Sequence, residues 1–123
     1  MARPKKFRKV CAEPKYSIYV PKPRFYDTPE DMETVILTVE EFEVIRLIDN
    51  RNLDQFETAE KMEIARSTVQ RMYKEAREKI ADAMVNGKVL KIEGGQYRLC
   101  EDRFFVDVCP DCPARIKERK NQE

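Results

Sequence analysis

The sequence predicts a mainly α fold: a three-helix helix-turn-helix domain with a C-terminal β-hairpin or small sheet and an extended basic N-terminal arm. Three observations predict it. Capping-box signatures stand near residues 38 and 54, a long apolar stripe of helical period follows residue 66, and the period changes to that of strands after Gly87. A chain of 123 residues suits one compact unit. We divide it into residues 1–36, 37–87 and 88–123, packed together.

Residues 1–36 combine a basic arm with a proline-rich linker. The opening "MARPKKFRKV" has no apolar periodicity, and the three prolines between residues 21 and 29 indicate an extended connection. The stretch "YSIYV", which lies between the basic arm and the linker, fits a short strand. Basic N-terminal arms can neutralise phosphates or enter a DNA minor groove, although a solvated tail has the same composition. The arm residues expected to contact DNA are Arg3, Lys5, Lys6, Arg8 and Lys9.

The first two predicted helices each begin with a capping box. Thr38 is the first cap, with Glu41 three residues later. Asp54 is the second, with Glu57 in the same position. The first helix should end near Asp49–Asn52. Their expected buried residues are Phe42, Val44, Ile45, Leu47 and Ile48 in the first helix, and Phe56, Ala59 and Met62 in the second.

The third predicted helix runs from about Arg66 to Asn86, and Gly87 is its C-terminal stop. Apolar side chains recur along it at spacings of three and four, which indicates one buried face. Those residues are Val69, Met72, Tyr73, Ala76, Ile80, Ala83 and Met84.

The junction between the second and third helices has the spacing of a helix-turn-helix. That motif needs a small residue where the helices cross, a turn four residues later, and an apolar residue that enters the core. Ala59, Glu63 and Ile64 stand at these offsets. Val69 and Met72 then occupy the two buried positions of the following helix. An ordinary three-helix bundle can share this pattern.

Two positions of the turn are atypical. Glu63 stands where a positive φ favours Gly, and Ala65 stands where a Ser or Thr cap is expected.

The polar face of the third predicted helix has the side chains of a DNA-reading surface. Arg and Gln can read base edges, and Ser or Thr can hold phosphates. The alternative is a solvated helix face. The expected DNA contacts are Arg66, Ser67, Thr68, Gln70, Arg71 and Lys74, among which no acid intervenes.

After Gly87 the sequence predicts strands. "KVLKIEGGQYRLC" contains two short runs around Gly94–Gly95, which is a hairpin signal. This hairpin could act as a wing whose cations touch the DNA backbone, and "RFFVDVC" offers a further strand. The wing cations are Lys88, Lys91 and Arg98.

Four stretches together resemble a family of small, uncharacterised prokaryotic proteins described as predicted DNA-binding proteins. They are "MARPKKFRKVC", "LTVEEFEVIRLID", "AEKMEIARSTVQRM" and "AREKIADAMVNGKVLKIEGGQYRL". The family's helix-turn-helix is similar to region 4 of bacterial sigma factors, which reads the promoter −35 element. The resemblance implies a regulator-like fold without a known target. The family normally has Gly-Ile-Ser-Arg across the turn, where this chain has Glu63-Ile64-Ala65-Arg66.

The chain has four cysteines: Cys11, Cys100, Cys109 and Cys112. "CPDCP" has the spacing of a knuckle that presents two thiolates to one Zn²⁺. A four-thiolate zinc site therefore requires Cys11 and Cys100 to join that knuckle in space. An iron–sulfur cluster, disulfides and buried thiols are the alternatives, and a reducing cytoplasm disfavours disulfides.

The charge of the chain is segregated although its net value is only +1. Residues 1–30 carry eight Lys/Arg against three acids, residues 31–63 carry three against ten, and residues 64–123 carry thirteen against ten. Such a protein is expected to bind a polyanion through one face and an arm and not over its whole surface.

The composition also bears on the class of protein. The chain lacks His and any recognisable nucleophile motif, so we expect no enzyme, although a small hydrolase or redox enzyme is the remotest alternative. No apolar run approaches the ~18 residues of a membrane span, and a cytoplasmic location is expected. The expected partner is double-stranded DNA, bound by a transcriptional regulator that could dimerise. The alternative is a protein-interaction module that binds RNA polymerase or a sigma or anti-sigma partner.

Overall fold

The structure, a computed structural model, describes residues 7–100. This part of the chain holds three α-helices and two small sheets. None of its helices has both the length and the apolar surface needed to cross a bilayer. The helices are α1 (Val39–Ile45), which continues as a π-helical turn (Arg46–Asn50), α2 (Gln55–Met62) and α3 (Arg66–Asn86). The strands are β1 (Arg8–Val10), β2 (Ile18–Tyr19), β3 (Thr34–Leu37), β4 (Val89–Ile92) and β5 (Tyr97–Leu99).

Both predicted capping boxes are confirmed. The Thr38 hydroxyl accepts the Glu41 N–H at 3.2 Å, and the Glu41 carboxylate accepts the Thr38 N–H at 2.9 Å. Asp54 and Glu57 exchange the same two hydrogen bonds, at 2.7 and 3.2 Å. Each box satisfies two N–H groups that a helix start leaves unpaired. The end of the first helix near Asp49–Asn52 and the full extent of the third are confirmed as well.

Two apolar clusters form the core of residues 7–100. One joins α2, the start of α3 and the end of the α1 region, and the other lies between α1, α3 and the strands. The first cluster contains Val44, Leu47, Ala59, Met62, Val69 and Met72. The second contains Val10, Leu37, Val39, Ala76 and Ile92.

Two residues expected in the core are exposed instead. Phe56 is 60% exposed because α2 buries the side that carries Thr58, Ala59 and Met62, and Phe56 stands two residues, or about 200° of helix rotation, from Thr58. Met84 is 76% exposed because it follows the buried Ala83 by one residue, which turns it off the buried stripe of α3. The prediction of burial was wrong at both positions.

The predicted hairpin is also wrong, since β4 and β5 belong to different sheets. β4 lies between β2, to which it is antiparallel, and β3, to which it is parallel, whereas β5 pairs in parallel with β1. The connecting loop is tied to the start of α1: the Gly94 carbonyl accepts the Val39 N–H at 3.1 Å, and the Gln96 N–H donates to the Glu40 carboxylate at 2.8 Å. These bonds direct β5 away from β4.

Candidate nucleic-acid interface

The turn between α2 and α3 is a Schellman motif centred on Glu63. Glu63 has φ +56° and ψ +47°, in the left-handed region that the sequence predicted for it. The Ile64 N–H donates to the Ala59 carbonyl at 3.1 Å, and the Glu63 N–H to the Glu60 carbonyl at 3.3 Å. Ile64 packs against the first apolar cluster, so the chain leaves α2 and re-enters the core before α3 begins.

Helix α3 begins without a side-chain cap. Ala65 is its N-cap residue, with extended φ −69° and ψ +146°, and its methyl group offers no acceptor to the first-turn N–H groups. The sequence predicted this feature. The first turn therefore presents donors at the end of the helix that carries the partial positive charge of the helix dipole.

Replacing Ala65 with Ser should raise the free energy of unfolding by roughly 1 kcal/mol, because the hydroxyl can accept an N–H of the first turn from this backbone conformation. Urea unfolding measures the change. Ala81→Ser is the matched control: Ala81 lies exposed within α3, where Ser should lower stability by about 0.5 kcal/mol. Equal effects of the two substitutions would contradict the capping argument.

The predicted reading face of α3 is exposed and cationic. Its opposite side is anchored by Val69 and Met72, which are buried in the first apolar cluster. Within residues 7–100, Arg66 and Arg71 form no ion pair, and Lys74 has only a long contact of 3.9 Å with Glu78. Thr68 is half-buried, so it lies at the margin of this surface. The fully exposed members are Arg66, Ser67, Gln70, Arg71 and Lys74.

The middle of α3 is fixed to the π-helical turn by Tyr73. Its hydroxyl donates to Asp49 Oδ1 at 2.7 Å, and this hydrogen bond, with burial, raises the pKa of Tyr73 above its usual value. Arg77 lies over the Tyr73 ring, 5.2 Å from its centroid. Arg77 lines the same surface cavity as Gln70 and Lys74.

The basic arm is anchored to α1 at Arg8. Arg8 Nη1 donates to Glu40 Oε2 at 2.5 Å, and Glu40 is 3% exposed. Arg8, expected to contact DNA, thus holds the arm against the body of the protein, while Lys9 is half-buried on the adjacent position of β1. The other predicted arm contacts, Arg3, Lys5 and Lys6, lie outside the described residues.

Three glutamates of α1 are buried, which the sequence did not predict. The first is Glu40, described above. The second is Glu41, which accepts a hydrogen bond from Lys79 Nζ at 2.7 Å. The third is Glu43, which accepts hydrogen bonds from Arg46 Nε at 2.6 Å and from the backbone N–H of Cys11 at 2.8 Å. The spacing of Glu43 and Arg46 was the one available signal. Three of the ten acids of the middle segment are thus buried and paired with cations inside the fold.

The cations predicted to form a wing are engaged in ion pairs. Lys88 contacts Asp82 at 3.0 Å and Glu33 at 3.2 Å, and the hydrogen bond to Asp82 is the main cause that raises the pKa of Lys88. Lys91 lies 3.1 Å from Glu93. Arg98 pairs with Glu63 in the turn between α2 and α3. Arg98 therefore links β5 to that turn.

Two of the four cysteines lie in the described part of the chain. Cys11 and Cys100 are both buried, and each directly follows one of the paired strands β1 and β5. Cys109 and Cys112 lie outside the described residues. Within residues 7–100 no three cysteine, histidine or acidic side chains come together in a group that could hold a metal ion.

The fold and this surface define a small α/β domain of three helices and short sheets, with an exposed cationic face at the start of its longest helix. The chain belongs to an uncharacterised prokaryotic family described as "Protein of unknown function DUF134", which matches residues 1–100. No solved structure matches the chain.

Three relatives, each named as a UPF0251 protein, show how far the similarity extends. One from Desulfitobacterium hafniense is 50% identical over 101 residues, which cover 82% of this chain and 78% of the relative. One from Thermoanaerobacter is 46% identical over 103 residues, covering 83% and 88% of the two chains. One from Halothermothrix orenii is 38% identical over 146 aligned positions that cover both chains completely. Similarity thus extends over the strands and helices described above.

Proposed function

We propose that this protein binds double-stranded DNA sequence-specifically through a helix-turn-helix, as a transcriptional regulator. The motif comprises α2, the Glu63 turn and α3. One observation carries the proposal: the first turns of α3 are rigidly anchored on one side and present an exposed, cationic and hydrogen-bonding surface on the other. A recognition helix has these two properties.

The chemistry of this surface suits the major groove. Arg66 and Arg71 are exposed and form no ion pair within residues 7–100, so their guanidinium groups are available to guanine or phosphate. Gln70 lies one turn from Arg66 and can pair with adenine through two hydrogen bonds. The uncapped first turn adds backbone N–H donors that favour a phosphate. A homodimer would place two such helices on paired half-sites.

The alanine substitutions Arg66→Ala and Gln70→Ala should each relax base preference by about 1–3 kcal/mol, because each removes a base-edge contact. A site is first selected from random DNA, and binding of each variant to that site and to its single-base variants is then measured. The loss of base preference should occur at particular base positions, and binding to unrelated DNA should remain largely unchanged.

Lys91→Ala is the control for loss of one positive charge. Lys91 is half-buried in β4 and paired with Glu93, away from the reading face. It should change neither base preference nor affinity appreciably. Wild-type affinity of the triple variant Arg66→Ala, Gln70→Ala, Arg71→Ala for the selected site would rule out groove reading by α3.

A second candidate is a protein-interaction module that binds RNA polymerase or a sigma or anti-sigma partner. It is favoured by an apolar surface cavity of about 430 Å³ near the end of α3, lined in part by Tyr19, Val20 and Met84. Retention on DNA–cellulose with steep salt elution supports DNA binding. Indifference to DNA together with a defined protein partner, lost on Met84→Lys, supports the interaction module.

A further inference from the structure

Helix α3 carries a stripe of side chains along its C-terminal half, at the end away from the reading face. Arg77, Ile80, Ala81 and Met84 follow one another at spacings of three and four, so they share one side of the helix. Met84 is 76% exposed, Ala81 is exposed and Ile80 is half-buried. Side chains at this spacing form the seam through which one helix packs against another.

Surface cavities lie on both sides of this stripe. One, of about 700 Å³, extends along α3 from Gln70 to Met84 beside the π-helical turn. The other, of about 430 Å³, lies between α3 and β2, where Tyr19 and Val20 are 49% and 62% exposed. Ile80 and Met84 line both cavities and therefore form the ridge between them. A ridge with a groove on each side is the surface that two helices need to interdigitate.

We propose that this stripe is the interface of a homodimer, in which the α3 helices of two copies pack antiparallel about a two-fold axis near Ala81. A residue at such an axis faces its own copy, and the small side chain of Ala81 lets the two helices approach closely. Asn86 follows Ala81 by five positions and thus lies opposite position 76 of the other copy. The two helices overlap over residues 76–86.

The charges of α3 favour this antiparallel arrangement. The helix is described over its whole length and has no basic residue in its last turn, where a cation would stabilise the partial negative charge of the helix end. About an axis at Ala81, Arg77 lies opposite Val85 of the other copy, which belongs to that last turn. Each copy therefore supplies the cation that the other helix end lacks. Parallel packing would instead oppose Arg77 to its own copy.

The arrangement also leaves the reading face free. Because the overlap begins at position 76, Arg66, Gln70 and Arg71 lie beyond it. Gln70 precedes Ala81 by 11 positions, or ~16 Å of helix, so the two copies of Gln70 stand roughly 33 Å apart. Paired half-sites one helical turn apart are separated by ~34–36 Å. This last step rests on the proposed function, whereas the dimer itself does not.

Sedimentation equilibrium of the full chain without DNA tests the interface. The wild type should be a dimer at micromolar concentration. Ala81→Glu should be monomeric, with a dissociation constant raised at least ~100-fold, because two like charges meet at the axis. Phe56→Glu is the matched control and should remain dimeric, since Phe56 is 60% exposed on α2 and lines neither cavity. Circular dichroism should show native helix content in both variants.

Charge complementation then identifies the occupant of this surface as a second copy. Ala81→Lys should be as monomeric as Ala81→Glu, and an equimolar mixture of the two variants should dimerise because opposite charges then meet at the axis. A monomeric wild type, a dimer that survives Ala81→Glu, or a mixture that stays monomeric would overturn the interface. Capture of RNA polymerase by a monomeric wild type, lost on Met84→Lys, would also overturn it and assign the surface to the second candidate function.

DNA binding is measured separately, so that the dimer and the proposed function can fail independently. If both hold, Ala81→Glu should keep its affinity for a single half-site and lose cooperative binding to two half-sites one helical turn apart. A dimer without sequence-specific DNA binding would contradict the proposed function alone. Specific binding of DNA by a wild type that stays monomeric would contradict the dimer alone.

Discussion

Replacing Glu43 with Ala should lower the free energy of unfolding by about 3–5 kcal/mol, the largest effect expected of any single substitution considered for this protein. Glu43 is 1% exposed and accepts hydrogen bonds from Arg46 and from the Cys11 backbone. Removing the carboxylate takes one counter-charge from a guanidinium group that is only 10% exposed, and it also takes the acceptor from the buried Cys11 N–H. Chemical unfolding followed by circular dichroism measures the loss.

The same pair offers a test of the cause. If part of the cost comes from the guanidinium of Arg46 losing the Glu43 carboxylate, the double variant Glu43→Leu, Arg46→Met should be more stable than Glu43→Ala. Glu57→Ala is the control for losing a glutamate that also accepts a backbone N–H, because Glu57 is exposed and should cost about 1 kcal/mol or less. A loss of similar size in Glu57→Ala and Glu43→Ala would refute the argument from burial.

The local features of the helices could be predicted from the sequence because residues three to five apart decide them. Thr38 and Asp54 reveal the helix starts through the glutamates that follow at the third position. The positive φ of Glu63 followed from its distance to Ala59 and Ile64. The exposed face of α3 followed from helical period alone.

The strand pairing could not be predicted, because it joins segments that are far apart in the chain. β1 and β5 are three residues each and 80 or more positions apart, and β2 has only two residues. Such short strands carry almost no alternation signal, whereas Gly94–Gly95 carries a strong turn signal. The chain does turn at these glycines. Backbone and side-chain hydrogen bonds to the start of α1 then direct β5 away from β4.

The burial of the α1 glutamates could not be predicted either, because it also depends on contacts between distant segments. The sequence shows Glu40, Glu41 and Glu43 in an acidic stretch, and acids are normally exposed. α1 instead packs against both α3 and β1, so almost its whole circumference is covered. Cations from distant segments then reach its carboxylates: Arg8 from the arm and Lys79 from α3. Neither pairing has a local signature.

The ion pair between Arg8 and Glu40 changes the role expected of one arm cation. From the sequence, Arg8 was one of five equivalent arm cations. The structure describes two of them, Arg8 and Lys9, and an ion pair with Glu40 holds Arg8 against the domain. This ion pair therefore fixes the start of β1, and the Glu40 carboxylate also holds the loop before β5 through the Gln96 N–H. Disturbing that carboxylate should affect both segments at once.

Gly95→Ala should be such a disturbance and should lower the free energy of unfolding by about 2–4 kcal/mol. Gly95 has φ +100°, which strains any side-chain-bearing residue. A Cβ at Gly95 would also overlap the Glu40 carboxylate and stand 3.0 Å from the Thr38 Cβ. Glu40 would have to move, and with it the bonds to Arg8 and to the Gln96 N–H.

Gly94→Ala is the matched control, because Gly94 is the adjacent residue of the same loop and has φ +72°. A Cβ at Gly94 would meet no atom of the described residues within 4 Å, so its cost is backbone strain alone, about 1–2 kcal/mol. Urea unfolding gives both values, and faster proteolysis at the arm should accompany only Gly95→Ala, since only that variant displaces the Arg8 anchor. Equal losses for Gly94→Ala and Gly95→Ala would show that strain, and not the Glu40 carboxylate, governs this loop.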